Sequence, residues 1–97
     1  MLTEILTQNP GDAFARYGLA MEHANQEQTD ASLAEFDQLL STHPDYTAGY
    51  FMAAQTLVKA GRTEEAKARL AQGVASAQRT GNAHALGEMQ ALLEELG

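Results

Sequence analysis

Residues 10–44, PGDAFARYGLAMEHANQEQTDASLAEFDQLLSTHP, hold two helical patterns between two prolines, and the rest of the chain repeats them. A shift of 34 residues aligns Leu2, Phe36 and Leu70, then Ile5, Leu39 and Gly73, then Leu6, Leu40 and Val74. Thr7, Ser41 and Ala75 form a row of small residues, and Pro10 with Pro44, Ala20 with Ala54 and Thr29 with Thr63 share the spacing. A period of this length with two helices per unit belongs to stacked helical hairpins, whose units bury their apolar faces only against neighbours. The fold class expected is therefore all-α, an α-solenoid of antiparallel hairpins.

The composition agrees. Alanine, leucine, glutamine and glutamate dominate, there are two prolines, and no run alternates apolar and polar residues with the period of a strand. Ninety-seven residues suffice for one small core. The chain has no cysteine, which excludes disulfides and thiolate metal sites and fits a reducing compartment. Its net charge of -7 is uneven, because residues 1–48 hold eight acids and only Arg16, whereas residues 49–97 hold five of each sign. Such a balance repels phosphate backbones and anionic lipid, so neither nucleic acid nor a membrane is an expected partner. The start, MLTEILTQNP, carries no basic segment followed by a long apolar run, and no stretch approaches the roughly 20 apolar residues of a membrane span. A cytoplasmic protein is expected.

Outward from the repeat, Leu2, Ile5 and Leu6 mark a short helix over residues 1–8, stopped by Asn9-Pro10-Gly11. Asp12 is the expected N-cap of a helix over 13–25, and Thr29 of one ending near Thr42. Asp45 is the expected cap of a third long helix reaching about Ala60, with Gly61 ending it in the left-handed conformation. Thr63, Glu64 and Glu65 open the next helix, which Gly81 closes, and Asn82 caps a last helix with Leu86, Met89, Leu93 and Leu96 on one side. That helix has one apolar and one acidic face, the pattern of a lid on a solenoid. The expected units are a half-repeat at 1–10, repeats at 11–44 and 45–80, and a capping helix at 82–96, forming one domain.

The residues resemble the tetratricopeptide repeat, whose signature is an aromatic, a Leu-Gly pair and a Tyr on the first helix, then Ala, Phe and Pro. In the first unit Leu19-Ala20 stand at the Leu-Gly pair, His23 at the Tyr, and Ser32, Phe36 and Pro44 at the last three, while Arg16 departs from the aromatic. In the second unit Tyr50, Ala53-Ala54, Leu57, Ala66 and Leu70 follow the signature, and Gln78 replaces the proline. The chain is identified by this resemblance as a short, bacterial-type domain of that family. The resemblance implies a non-catalytic adaptor or scaffold whose first helices line a concave groove for a peptide or protein segment. The implied groove residues are Phe14, Tyr17, Met21 and Asn25, then Phe51, Met52, Gln55 and Lys59, with Ala24, Ala48 and Val58 beside them. Because this set is mostly apolar, it suits an amphipathic helix or an aromatic-bearing peptide and not a carboxylate clamp.

Two other readings compete. Phe14, Tyr17, Met21 and Phe51 are equally readable as core, and a second copy of the chain is a possible occupant, giving a homodimer through the groove or the open N-terminal end. His23 and Glu27 have a chelating spacing, but no further ligand pattern joins them, so His23 is read as a structural residue and no metal or cofactor is expected. The chain contains no glycine-rich phosphate loop, nucleophile elbow or HExxH, so no enzyme is expected. Arg62, Lys67, Arg69 and Arg79 lie close in sequence and are read as solubilising surface.

Overall fold

The computed structural model describes residues 2–97 as six helices, with no strand among the described residues: α1 Leu2–Gln8, α2 Ala13–Asn25, α3 Thr29–Thr42, α4 Thr47–Lys59, α5 Thr63–Thr80 and α6 Ala83–Leu96. Each helix packs on the next, and α2, α4 and α6 also touch side by side, with α4 in the middle. The result is an all-α helical repeat about two helices thick, 40 × 30 × 17 Å in extent. The inner row is α2, α4 and α6; α3 and α5 lie behind it.

Helix starts follow local chemistry only in part. The Asp12 carboxylate accepts from the Ala15 amide at 2.9 Å, and Asn82 accepts from the Ala85 amide at 3.1 Å, so these two caps form as expected. Thr29 and Asp45 do not cap. Thr29 is already inside α3, where Gln28 holds the cap position without a side-chain bond. Tyr46 holds that position for α4, and Asp45 is drawn away by the Arg79 guanidinium, whose Nη2 donates at 2.6 Å. Asp12→Ala should therefore lower stability by about 1 kcal/mol, whereas Asp45→Ala should cost less, because half-exposed ion pairs contribute under about 1 kcal/mol. Urea denaturation of both variants checks this; an equal or larger loss for Asp45→Ala would refute the assignment. Gly61 and Gly81 take φ of 76° and 69° just past α4 and α5, which side chains disfavour there.

The core joins Phe36, Leu39 and Leu40 of α3 to Ala20 of α2, Tyr50, Ala53, Ala54 and Leu57 of α4, Ala66 and Leu70 of α5, and Met89 of α6. Small residues let the helices close in. An added Cβ at Gly49 would meet the Leu40 and Leu39 methyls at 3.0 and 3.1 Å, and one at Gly18 would meet Leu2 at 3.1 Å. Buried hydroxyls are paired: Ser32 donates to the Ala20 carbonyl at 2.8 Å, and Ser76 and Thr47 share a 3.0 Å bond. No buried side-chain polar atom among the described residues lacks a partner.

Arg16, where the signature has an aromatic, keeps one function of that position. Its guanidinium reaches the Pro10 carbonyl at 3.3 Å, as the Tyr50 hydroxyl reaches the Pro44 carbonyl at 2.6 Å. Both polar tips tether a helix to the proline turn six residues earlier. Arg16 also meets Glu35 at 2.7 Å, both side chains being under one-fifth exposed. The basic residues near α5 are likewise occupied. Arg69 pairs with Asp37, Arg79 with Asp45 and Lys67 with Glu64. Arg62 binds Glu65 at 2.6 Å, a hydrogen bond that holds the Glu65 carboxyl below its usual pKa, and lies 3.6 Å from Asp30. The contacts of Arg62 with Asp30 and of Arg69 with Asp37 run from α5 and its N-cap to α3. Solubility is thus not the whole contribution of these cations, since two of them bridge to α3, which shares no close backbone contact with α5.

Candidate functional site

The groove is built where α2, α4 and α6 meet. Near the C-terminal ends of α2 and α4, Met21, Ala24 and Asn25 face Met52, Gln55, Thr56 and Lys59 across an open cavity of about 360 Å3, with Glu27 at its end. A second cavity of about 240 Å3 lies at the other end of α4, between Tyr17 of α2, Thr47, Ala48, Phe51 and Met52 of α4, and Asn82, His84, Ala85 and Glu88 around the start of α6. Met52 lines both. Seven of the eight residues expected from sequence therefore lie along one trough: Tyr17, Met21, Asn25, Phe51, Met52, Gln55 and Lys59. Phe14 lines neither cavity. It stands 75% exposed on the first turn of α2. Val58 turns toward the core.

The competing core reading applies to part of this set. Tyr17 packs edge-on against Phe36, ring centroids 6.4 Å apart, and against Tyr46 at 5.5 Å. One face of Tyr17 thus supports the core while another lines the trough. Burial pushes the Tyr17 phenol above its ordinary pKa. Tyr46 is raised by burial and, secondarily, by Tyr17 and Asp12. Both remain uncharged at neutral pH. Phe51, Met52 and Met21 are half-buried against the core, whereas Asn25, Gln55 and Lys59 are more open to solvent. The floor is apolar and the open end is polar.

Reading the sequence for a lid on α6 misses the part this helix takes in the trough. A signal is present, because a second 34-residue step from Tyr17 through Phe51 arrives at Ala85. His23 is tied to the α2–α3 turn, its Nδ1 2.8 Å from Gln28 Oε1. Glu27 beside it takes φ of 60°, which turns the chain sharply into α3. Among the described residues no three His, Cys, Asp or Glu side chains are grouped to hold a metal ion. No helix among them is long and apolar enough to cross a membrane.

Comparison with known proteins gives a consistent result. A family model described as tetratricopeptide repeat matches residues 23–93. The chain is 33% identical to a tetratricopeptide repeat domain protein from Salinibacter ruber whose solution structure superposes with a TM-score of 0.84, covering 91% of this chain and 89% of that one. A crystal structure of a Salinibacter ruber tetratricopeptide repeat domain protein gives 33% identity and a TM-score of 0.79, over 88% and 94% of the two chains. A Bordetella parapertussis protein, 28% identical, superposes with a TM-score of 0.83 over 98% of this chain and 83% of its own. No curated protein matches the chain. With the family model spanning most of the sequence and a tetratricopeptide repeat domain protein 33% identical over 91% of this chain, the chain belongs to the tetratricopeptide repeat family.

Proposed function

We propose that this chain is a non-catalytic adaptor that holds a peptide or protein segment in the trough between α2, α4 and α6. Tetratricopeptide repeat domains are generally protein–protein interaction modules and are typically non-catalytic. The observation that carries the reading is that Tyr17, Phe51, Met52 and Met21 pack on the core with one face and with the other line two cavities that meet at Met52. A globular domain leaves such a face open chiefly where something covers it. Two methionines let the floor adapt in shape, and the aromatic rings supply most of the area a partner would bury. The units proposed to build the trough are residues 11–44 and 45–80, with α6 as its third wall and a cytoplasmic setting.

Peptides selected from a displayed library against the full chain, followed by amide NMR mapping, test this. The expected shifts fall on Met21, Met52, Gln55 and Ala85. Gln55→Trp, at an exposed position on the trough, should block binding at least about tenfold while leaving the melting curve unchanged. Binders that map to α3 and α5, or that ignore Gln55→Trp, would refute the reading. Tyr17→Glu is unsuitable as the blocking variant, because it would place a charge against Phe36 and Tyr46.

A further inference from the structure

The chain's cations are almost all spent. Arg16, Arg62, Lys67, Arg69 and Arg79 each pair with a carboxylate, and all but Arg16 lie on or beside α5, behind the trough. Glu22, Glu27, Glu88, Glu94 and Glu95, on or next to the inner row of helices, have no lysine or arginine partner within ion-pair distance among the described residues, and Glu88 lies 3.3 Å from His84. Two of these acids stand on the trough itself, Glu27 at one end and Glu88 at the other. Lys59, which lines the same cavity as Glu27, is the one lysine or arginine there among the described residues, and it is unpaired. The apolar floor thus has a carboxylate at each end that no lysine or arginine pairs with among the described residues, offset in part by Lys59 at the Glu27 end and by His84 beside Glu88.

We propose that the occupant of the trough is a short cationic amphipathic helix, its apolar stripe on Tyr17, Met21, Phe51 and Met52 and its basic residues near Glu27 and Glu88. This rests on the adaptor reading and adds the partner's chemistry to it. Ala48 to Ala60 of α4 and its cap runs the length of the trough, so at about 1.5 Å per residue the docked segment is about 18 Å long, three to four helical turns. A second copy of the chain fits less well, because a self-matching contact brings Glu27 and Glu88 against the same carboxylates within a chain of net charge -7. Complementary charge at the rim acts mainly on specificity and association rate, while the buried apolar stripe holds the complex.

Two labelled synthetic peptides decide it by fluorescence anisotropy with the full chain. Both carry Leu and Phe at i, i+3, i+4 and i+7, and they differ only in having Lys or Glu at the ends. The Lys peptide should bind at least about tenfold more tightly at low salt, and the gap should close as salt rises. Glu27→Gln with Glu88→Gln should narrow the gap about fivefold, while Glu94→Gln with Glu95→Gln leaves it, and Lys59→Gln widens it. Equal affinities, a preference for the Glu peptide, or no binding of the Lys peptide would overturn the inference. If both peptides bind equally and Gln55→Trp abolishes both, the charge inference fails and the adaptor reading stands. If the Lys peptide binds regardless of Gln55→Trp, both fail. A dimer in sedimentation that Gln55→Trp dissociates would make a second copy the occupant and likewise overturn the proposal.

Discussion

Phe36→Ala is expected to lower the unfolding free energy by about 3–5 kcal/mol, a large part of the roughly 5–15 kcal/mol available to a domain of this size. Phe36 is fully buried on α3, receives the edge of Tyr17 from α2, and belongs to the cluster that also joins α4, α5 and α6. Removing the ring leaves a void that stiff neighbouring helices fill poorly, so the loss exceeds the transfer free energy of the ring. Tyr17 would also lose its support, and the trough would loosen with it. Urea denaturation should show a lower midpoint at unchanged slope. A loss below about 1 kcal/mol would mean that Phe36 is not the centre of the core.

Gly73→Leu should be of comparable size, about 3 kcal/mol or more, from the opposite cause. A Cβ at residue 73 would lie 2.4 Å from Met89 Sδ and 2.7 Å from Tyr50 Cβ. The methionine tip can swing aside, but Tyr50 Cβ is fixed to the α4 backbone, so a side chain at 73 must push α5 off α4. Glycine within a helix ordinarily costs up to about 1 kcal/mol relative to alanine, and here close approach more than offsets it. Gly87 is the control. It lies inside α6, and a methyl added there would meet nothing within 4 Å, so Gly87→Ala should raise stability by about 0.5–1 kcal/mol. Thermal melts of the two variants should move in opposite directions. A neutral Gly73→Leu would show that α4, α5 and α6 do not meet so closely.

Most of the architecture is legible because the 34-residue period repeats the same burial problem. Phe36 and Leu70, one period apart, are both fully buried, and Ala20 and Ala54 both sit at close helix contacts with no exposed surface. The helix ends that depend on one side chain and one nearby amide, at Asp12 and Asn82, are legible for the same reason. Asp45 misleads because its carboxylate has a distant competitor. Arg79 lies 34 residues away in sequence and is brought alongside only by the packing of α5 on α4. Seven of the eight trough residues expected from the family resemblance line the two cavities, whereas Phe14, near the first turn of α2, projects beyond the neighbours that would give it a wall.

By itself the sequence determined the number and type of helices and most of the residues that face inward, because periodicity and propensity act over a few residues; the side of the apolar row came from the family resemblance. Tertiary structure alone decided that α6 forms a third wall, that Arg69 and Arg79 are consumed by acids distant in sequence, and that Glu27 and Glu88 are left bracketing the floor. Those outcomes depend on which charges come within a few ångströms of each other across the stack, and such distances are fixed by packing between helices and not by spacing along the chain.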